Sequence, residues 1–120
     1  MKKVNVNEAS GPVLDWMVAK CEGKKVGYEF TLFSPVVIVG LDPYEPSEDW
    51  AQGGPVIERE EIATQCCYTD GELTGWIADS RKLNDDEGME QFGPTPLVAA
   101  MRCYVVSKLG ETVDVPEELI

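Results

Sequence analysis

The chain is organised around the stretch Trp50-Ala51-Gln52-Gly53-Gly54-Pro55-Val56-Ile57-Glu58-Arg59-Glu60. Two consecutive glycines followed by a proline are typical of a sharp change of chain direction, because glycine adopts unusual backbone angles and proline fixes φ. We therefore expect a turn at Gly53-Gly54-Pro55. Val56–Ile62 would follow as a strand or one helical turn, and the preceding Gly-Gly-Pro favours the strand. Trp50 stands just before the turn, where so large a side chain is either buried or offered to a partner.

Two stretches carry helix start and stop signals. Each has a serine or threonine at the N-cap, a proline in the first turn, apolar residues at helical spacing and a glycine at the end. A single apolar stripe must be covered by a sheet or by another helix. The predicted helices are Ser10–Glu22 and Thr95–Leu109.

Strand signals lie between these helices. Alternating apolar residues from Val26 to Leu32 predict a half-buried strand, and the run Val36–Val39 predicts a more buried one. An unbroken apolar run is an aggregation hazard at a sheet edge, so we expect Val36–Val39 to be a central strand. The Asp70-Gly71 pair suits a tight turn and predicts a hairpin between segments 64–68 and 74–78.

The remaining segments read as surface connections. Leu41–Pro55 is acidic and rich in proline, and Asp79–Phe92 is polar and acidic, so both are predicted to be loops. Val113 and Val115 stand at strand spacing near the C-terminal end. Together these elements predict one α+β domain over residues 1–120, with a small, mainly antiparallel sheet and two helices packed on one of its faces.

Charge is the most informative part of the composition. The 120 residues include 10 Lys plus Arg and 22 Asp plus Glu, a formal net charge of −12. Such a surface disfavours direct binding to nucleic acid, which requires a cationic face. It suits a basic protein partner or a nucleic-acid mimic, and it also promotes solubility. No secretory signal or membrane span is evident, so we expect a cytoplasmic protein with reduced cysteines.

The residue inventory excludes several kinds of catalytic and metal site. The chain has no histidine, which removes histidine-based catalysis and histidine metal ligands. Cys66-Cys67 is a vicinal pair without zinc-site spacing, and Cys21 and Cys103 are expected in the core. No familiar nucleotide-binding motif is present. We expect no cofactor and no metal.

The carboxylates of the acidic loop could hold a hard cation. The loop lacks the alternating ligands and the central glycine of an EF-hand, so we expect a solvated loop. The residues concerned are Asp42, Glu45, Glu48 and Asp49.

Three segments of the chain are familiar in combination. They are Leu14-Asp15-Trp16-Met17-Val18-Ala19-Lys20-Cys21-Glu22-Gly23, Asp49-Trp50-Ala51-Gln52-Gly53-Gly54-Pro55-Val56-Ile57-Glu58-Arg59-Glu60, and Gly93-Pro94-Thr95-Pro96-Leu97-Val98-Ala99-Ala100-Met101-Arg102-Cys103-Tyr104-Val105. In this order they resemble the NinX-like family of small proteins from temperate bacteriophages and prophages. The resemblance implies a phage or prophage origin and a place in the bacterial cytoplasm, and it implies no biochemical activity.

These observations favour a non-enzymatic protein-binding or regulatory module that binds a host or phage protein. One alternative is a small-molecule binder or enzyme that uses Arg59 and nearby carboxylates, and another is an acidic nucleic-acid mimic. Tryptophan and arginine are enriched at interface hot spots, and a Gly-Gly-Pro turn allows close approach. Alternatively, Trp50 fills the core and Arg59 pairs internally with a carboxylate. The oligomeric state is open. The candidate binding residues are Trp50, Gln52, Gly53, Gly54, Glu58 and Arg59.

Overall fold

The computed structural model describes residues 1–80 and 90–120, which form three α-helices and three small antiparallel sheets. Two 3₁₀ turns, Val6–Glu8 and Glu117–Leu119, complete the described elements. In chain order the helices and strands are β1 (Lys2–Asn5), α1 (Gly11–Cys21), β2 (Val26–Phe30), β3 (Pro35–Val39), β4 (Asp42–Pro43), α2 (Trp50–Arg59), β5 (Ala63–Thr69), β6 (Glu72–Asp79), β7 (Gln91–Gly93), α3 (Pro96–Leu109) and β8 (Thr112–Val115).

The α+β class is confirmed, but the single sheet with two helices on one face is wrong. Helix α3 is buried at every residue from Leu97 to Val106, and α1 is buried from Leu14 to Ala19. Because these helices are buried all round rather than along one stripe, one sheet cannot cover them. Helix α1 packs on α3, the β2–β3 hairpin packs on α1, and the β5–β6–β7 sheet packs on α3.

The predictions for α1 and α3 are confirmed to within a residue at each end. Thr95 caps α3, because its Oγ1 accepts a hydrogen bond of 3.1 Å from the backbone N–H of Val98. Ser10 occupies the N-cap of α1, although its side chain makes no capping hydrogen bond.

The predicted hairpin is present as β5 and β6, and the two strands predicted within Val26–Val39 are present as β2 and β3, which pair with each other. Strand β3 lies between β2 and β4, so the central position expected for Val36–Val39 is confirmed. Asp70 and Gly71 both have positive φ, 53° and 82°, as a tight turn between β5 and β6 requires. The valines near the C-terminal end lie in β8, which pairs with β1 so that Lys2 stands opposite Val115.

The turn predicted at Gly53-Gly54-Pro55 and the strand predicted over Val56–Ile62 are wrong. All three turn residues lie inside α2, which runs on through Val56 to Arg59. Asp49 starts this helix, since its Oδ1 accepts a 2.9 Å hydrogen bond from the backbone N–H of Ala51.

Two glycines make this helix possible despite Pro55. Gly54 lacks the Cβ atom that would clash with the ring of a following proline. Gly53 is buried, and a Cβ atom there would overlap the carbonyl oxygen of Pro46 and lie 2.7 Å from Cδ2 of Leu97. Gly53 therefore allows close packing of the helix and Gly54 accommodates Pro55 within it, so the pair does not form a turn.

Both predicted loops need correction. Leu41–Pro55 contains β4 and the first part of α2. In the second, Asp79 ends β6, and Gln91 and Phe92 belong to β7, which pairs with β6. Residues 81–89 of the second predicted loop lie outside the described residues.

Candidate functional site

Trp50 begins α2 and is 56% exposed. It borders a groove of about 460 Å³ whose wall includes the first residues of all three helices, Gly11, Trp50 and Pro96. The groove is mainly apolar, and Leu97 adds to that character while Glu48 places a carboxylate beside it. Exposed aromatic side chains and apolar surface with polar residues at its rim are enriched at protein interfaces in general.

Gln52 holds the acidic loop against α2. Its Nε2 donates a 3.0 Å hydrogen bond to the carbonyl oxygen of Pro43, and its Oε1 accepts from the backbone N–H of Glu45. The loop beyond this clamp is buried at Pro46 and Ser47. Gln52 therefore positions the part of the loop that leads to the groove.

A buried carboxylate, missed by the sequence predictions, anchors the same loop to α1. Asp15 is 2% exposed, and its Oδ1 accepts a 2.9 Å hydrogen bond from the backbone N–H of Ser47. Burial raises the pKa of Asp15 to about 7, although hydrogen bonding by Ser47 opposes the rise, and the charges of Glu48 and Glu45 add to it. Its position within the apolar run Leu14–Ala19 was the available signal.

Arg59 lies at the opposite end of α2 from Trp50. The two are nine positions apart, which is about 13.5 Å along an α-helix and about half a rotation around it beyond two full turns. Glu58 is exposed on the same last turn as Arg59. Gly54 lies near Trp50, because a Cβ atom added at position 54 would be 3.9 Å from Cε3 of Trp50. The candidate residues therefore divide between the two ends of α2, with Gly53 buried between them.

The carboxylate partner expected for Arg59 is Glu22, at the end of α1. Arg59 donates from Nη1 to Oε1 of Glu22 at 3.0 Å and from Nη2 to Oε2 at 2.8 Å, a bidentate pair. Its Nε donates to Oε1 of Glu60 at 2.8 Å. Tyr104 donates from its hydroxyl to Oε2 of Glu22 and accepts from Arg59 at 3.3 Å.

This cluster fixes the charge states of its members. Burial opposes the charged form of Glu22, but the hydrogen bonds from Arg59 and Tyr104 outweigh it and lower the pKa of Glu22. Burial and the Glu22 carboxylate raise the pKa of the Tyr104 hydroxyl. The result is an ion pair between the end of α1 and the end of α2, which Tyr104 of α3 joins through hydrogen bonds.

Arg102 is a second cation that the sequence predictions missed. It is 8% exposed, and it donates from Nε to the carbonyl oxygen of Ala9 and from Nη1 to that of Phe92, each at 2.8 Å. Burial lowers the pKa of its guanidinium. Arg102 thereby ties the segment before α1 to β7. A lone arginine within the apolar run of α3 was the available signal.

Cys21 and Cys103 lie in or against the core, as predicted. All four cysteines are free, Cys103 is buried and Cys21 packs against the core. Burial raises the pKa of Cys21 to about 12 and that of Cys103 to about 11, so both thiols are protonated at neutral pH. Over residues 1–80 and 90–120, no three Cys, Asp or Glu side chains converge as a metal site would require.

The sequence matches the model of a known protein family. The family described as Bacteriophage P22, NinX matches residues 5–108. No curated protein matches the chain. None of the helices in the described residues has the length and apolar character needed to cross a membrane.

Proposed function

We propose, from the premise that this chain belongs to the phage P22 NinX family, that it is a non-enzymatic binding module acting in the bacterial cytoplasm. It binds a basic segment of a host or phage protein in the groove beside Trp50. The observation that carries the proposal is the 56% exposure of Trp50 next to an apolar groove. Burying the rest of a tryptophan is among the largest single contributions that an interface residue makes.

Charge supports a basic partner. The chain carries a net charge of −12, and Glu48 lies at the groove itself. Complementary charge speeds association and suppresses binding to acidic partners. A Lys or Arg side chain of the partner would place its cation near Glu48 and its aliphatic stem on Trp50.

The surface is also preorganised. Gln52 binds the loop from α2 and Asp15 binds it from α1, so the loop leading to Trp50 is held at two points. A surface that is already ordered loses little conformational entropy on binding.

The alternatives receive less support from the geometry. The small-molecule reading relied on Arg59, whose guanidinium already donates to Glu22, Glu60 and Tyr104. A ligand there would have to displace those bonds. A nucleic-acid mimic needs a distributed negative surface and has no use for an exposed tryptophan beside an apolar groove.

The test compares the wild type with Trp50→Ala and a matched control, Tyr68→Ala, whose aromatic side chain is 64% exposed on β5. Tagged protein is used to capture partners from phage-infected cells, and the affinity of each identified partner is then measured by calorimetry. We expect Trp50→Ala to weaken binding by about 30-fold or more with an unchanged melting temperature, as for a hot-spot residue. Tyr68→Ala should bind as the wild type does.

A charge reversal tests the second part of the proposal. Glu48→Lys should weaken binding to the same partner and reduce its salt dependence. A partner that binds Trp50→Ala as tightly as the wild type, or whose contact segment is acidic, would contradict the proposal.

A further inference from the structure

Strand β2 is an edge strand with one side unpaired. The order β2-β3-β4 leaves its outer edge without a neighbouring strand in the described part of the chain. Such an edge presents free N–H and C=O groups that another strand can bind. The question is whether the edge carries features that select a partner.

The hairpin geometry shows which residues offer these groups. Thr31 donates a 2.9 Å backbone hydrogen bond to Ser34, so Thr31 belongs to a hydrogen-bonded pair of the β2–β3 ladder. Hydrogen-bonded and non-hydrogen-bonded pairs alternate along an antiparallel ladder. Every second residue before Thr31, namely Glu29 and Gly27, therefore bonds to β3. The intervening residues Val26, Tyr28 and Phe30 point their backbone groups outward.

We propose that two copies of this chain pair antiparallel through β2, with Val26 of one copy opposite Tyr28 of the other. This pairing makes four backbone hydrogen bonds between the outward groups. It also places Lys25 opposite Glu29 twice, once on each side of the two-fold axis. Gly27 then faces its own counterpart on the axis.

The charges select this register. Among the described residues neither Lys25 nor Glu29 forms an ion pair within its own chain. Two neighbouring registers are the alternatives. If Tyr28 of one copy lay opposite Tyr28 of the other, Glu29 would lie opposite Gly27. If Val26 lay opposite Val26, Lys25 would lie opposite Gly27. Directly opposed unlike charges stabilise a strand pair and like charges destabilise it, so only the proposed register satisfies both side chains.

Gly27 is not required by the fold of a single copy. It lies on the exposed face of β2 with a φ outside the left-handed region, and a Cβ atom there would meet no heavy atom within 4 Å. Glycine inside a strand costs about 0.5–1 kcal/mol relative to alanine and often marks the close approach of another backbone. Pairing at a two-fold axis through Gly27 supplies that approach.

The side chains on the opposite face of β2 already pack within a single copy of the chain. Val26 and Tyr28 pack against the core, so their side chains are fixed before any second copy arrives.

The net charge of −12 on each copy opposes association, but Lys24 and Lys25 lie at the start of this edge. At about 0.15 M salt the Debye length is about 8 Å, which screens the distant charges more than the close Lys25–Glu29 pairs.

The test is sedimentation equilibrium of the full chain at about 0.15 M salt. The wild type should reach dimer mass as its concentration rises. Lys25→Glu and Glu29→Lys each place two like-charge pairs across the axis and should raise the dissociation constant about tenfold or more. The double variant Lys25→Glu/Glu29→Lys restores unlike pairs and should dimerise as the wild type does. Lys2→Glu makes the same charge change on β1 and should leave the dimer intact.

Amide hydrogen exchange locates the contact. The amides of Val26 and Tyr28 should become protected as the concentration of the wild type rises, and should stay unprotected in Lys25→Glu. All three substituted residues, Lys2, Lys25 and Glu29, are exposed, and melting curves of each variant confirm that it is folded. A monomeric wild type, a dimer that Lys25→Glu leaves unaffected, a double variant that stays monomeric, or protection elsewhere than at β2 would each overturn the proposal.

Discussion

Replacing Gly53 by alanine is expected to destabilise the protein, although alanine is the better helix former. The added Cβ atom would lie 2.7 Å from Cδ2 of Leu97 and would overlap the carbonyl oxygen of Pro46. The Leu97 side chain can rotate away. The Pro46 carbonyl belongs to backbone that is buried and held between Gln52 and Asp15, so the overlap with it decides the outcome.

The magnitude follows from two opposing effects. Overpacking a tightly packed site costs about 1–3 kcal/mol, and contact with fixed backbone places this case in the upper part of that range. Alanine recovers about 0.8–1 kcal/mol of helix propensity relative to glycine. The net loss in free energy of unfolding for Gly53→Ala is therefore about 1–2 kcal/mol. For a chain of this length that lowers the melting temperature by about 4–8 °C.

The adjacent glycine provides a matched control. Outside its chain neighbours, the nearest heavy atom to a Cβ at position 54 is Cε3 of Trp50 at 3.9 Å, an ordinary contact. For Gly54→Ala the gain in helix propensity is offset by the restriction on a residue before Pro55, so stability should change by less than about 1 kcal/mol. The assay is urea unfolding followed by circular dichroism. Equal stability of the two alanine variants would refute the packing of α2 against Pro46.

Two further predictions concern pH. Asp15 has a pKa raised to about 7 in the folded state against about 3.9 in the unfolded chain, so its contribution to stability falls as pH rises from about 4 to 7. Asp15→Asn keeps an acceptor for the backbone N–H of Ser47. As pH rises across that window, its free energy of unfolding in urea should increase relative to that of the wild type by up to about 4 kcal/mol. A difference between the two proteins that does not vary with pH would contradict this. Glu22 has a lowered pKa in the folded state, so its stabilisation is present above the usual glutamate range and is lost as pH falls through the folded pKa. Glu22→Gln should be less stable than the wild type by about 1–3 kcal/mol at pH near 7 and should approach it in acid, whereas equal stability at neutral pH would argue against the link to Arg59.

Capping and turn residues in the sequence correctly predicted the elements that are stabilised by contacts between neighbouring residues. Thr95 and Pro96 mark the start of α3 because capping involves only neighbouring residues, and Asp70-Gly71 marks a hairpin for the same reason. Helix α2 was missed because Gly53 is required by contacts with residues outside the helix, and one of them, Leu97, is 44 positions away in sequence. Nothing near Gly53 in sequence indicates that Pro46 and Leu97 will press against it.

The contacts at the candidate site, like those of α2, are mostly between residues far apart in sequence and could not be predicted from local patterns. The exposure of Trp50 was one of two readings that the sequence left open, and the internal pairing of Arg59 belonged to the other. Glu22 and Arg59 are 37 positions apart, and Arg102 and Ala9 are 93 apart. Pairs at such distances depend on how helices pack, and periodicity along one chain does not report it. The role of the candidate residues in binding stays a prediction.

The pairing of β1 with β8 has a consequence for how the protein folds during synthesis. Lys2 leaves the ribosome 113 positions before its partner Val115. Closing so long a loop is entropically costly and slow, so β1 must wait while the intervening helices and hairpins form. A nascent chain halted before residue 112 would therefore expose an unpaired β1 and offer it to chaperones or to other chains.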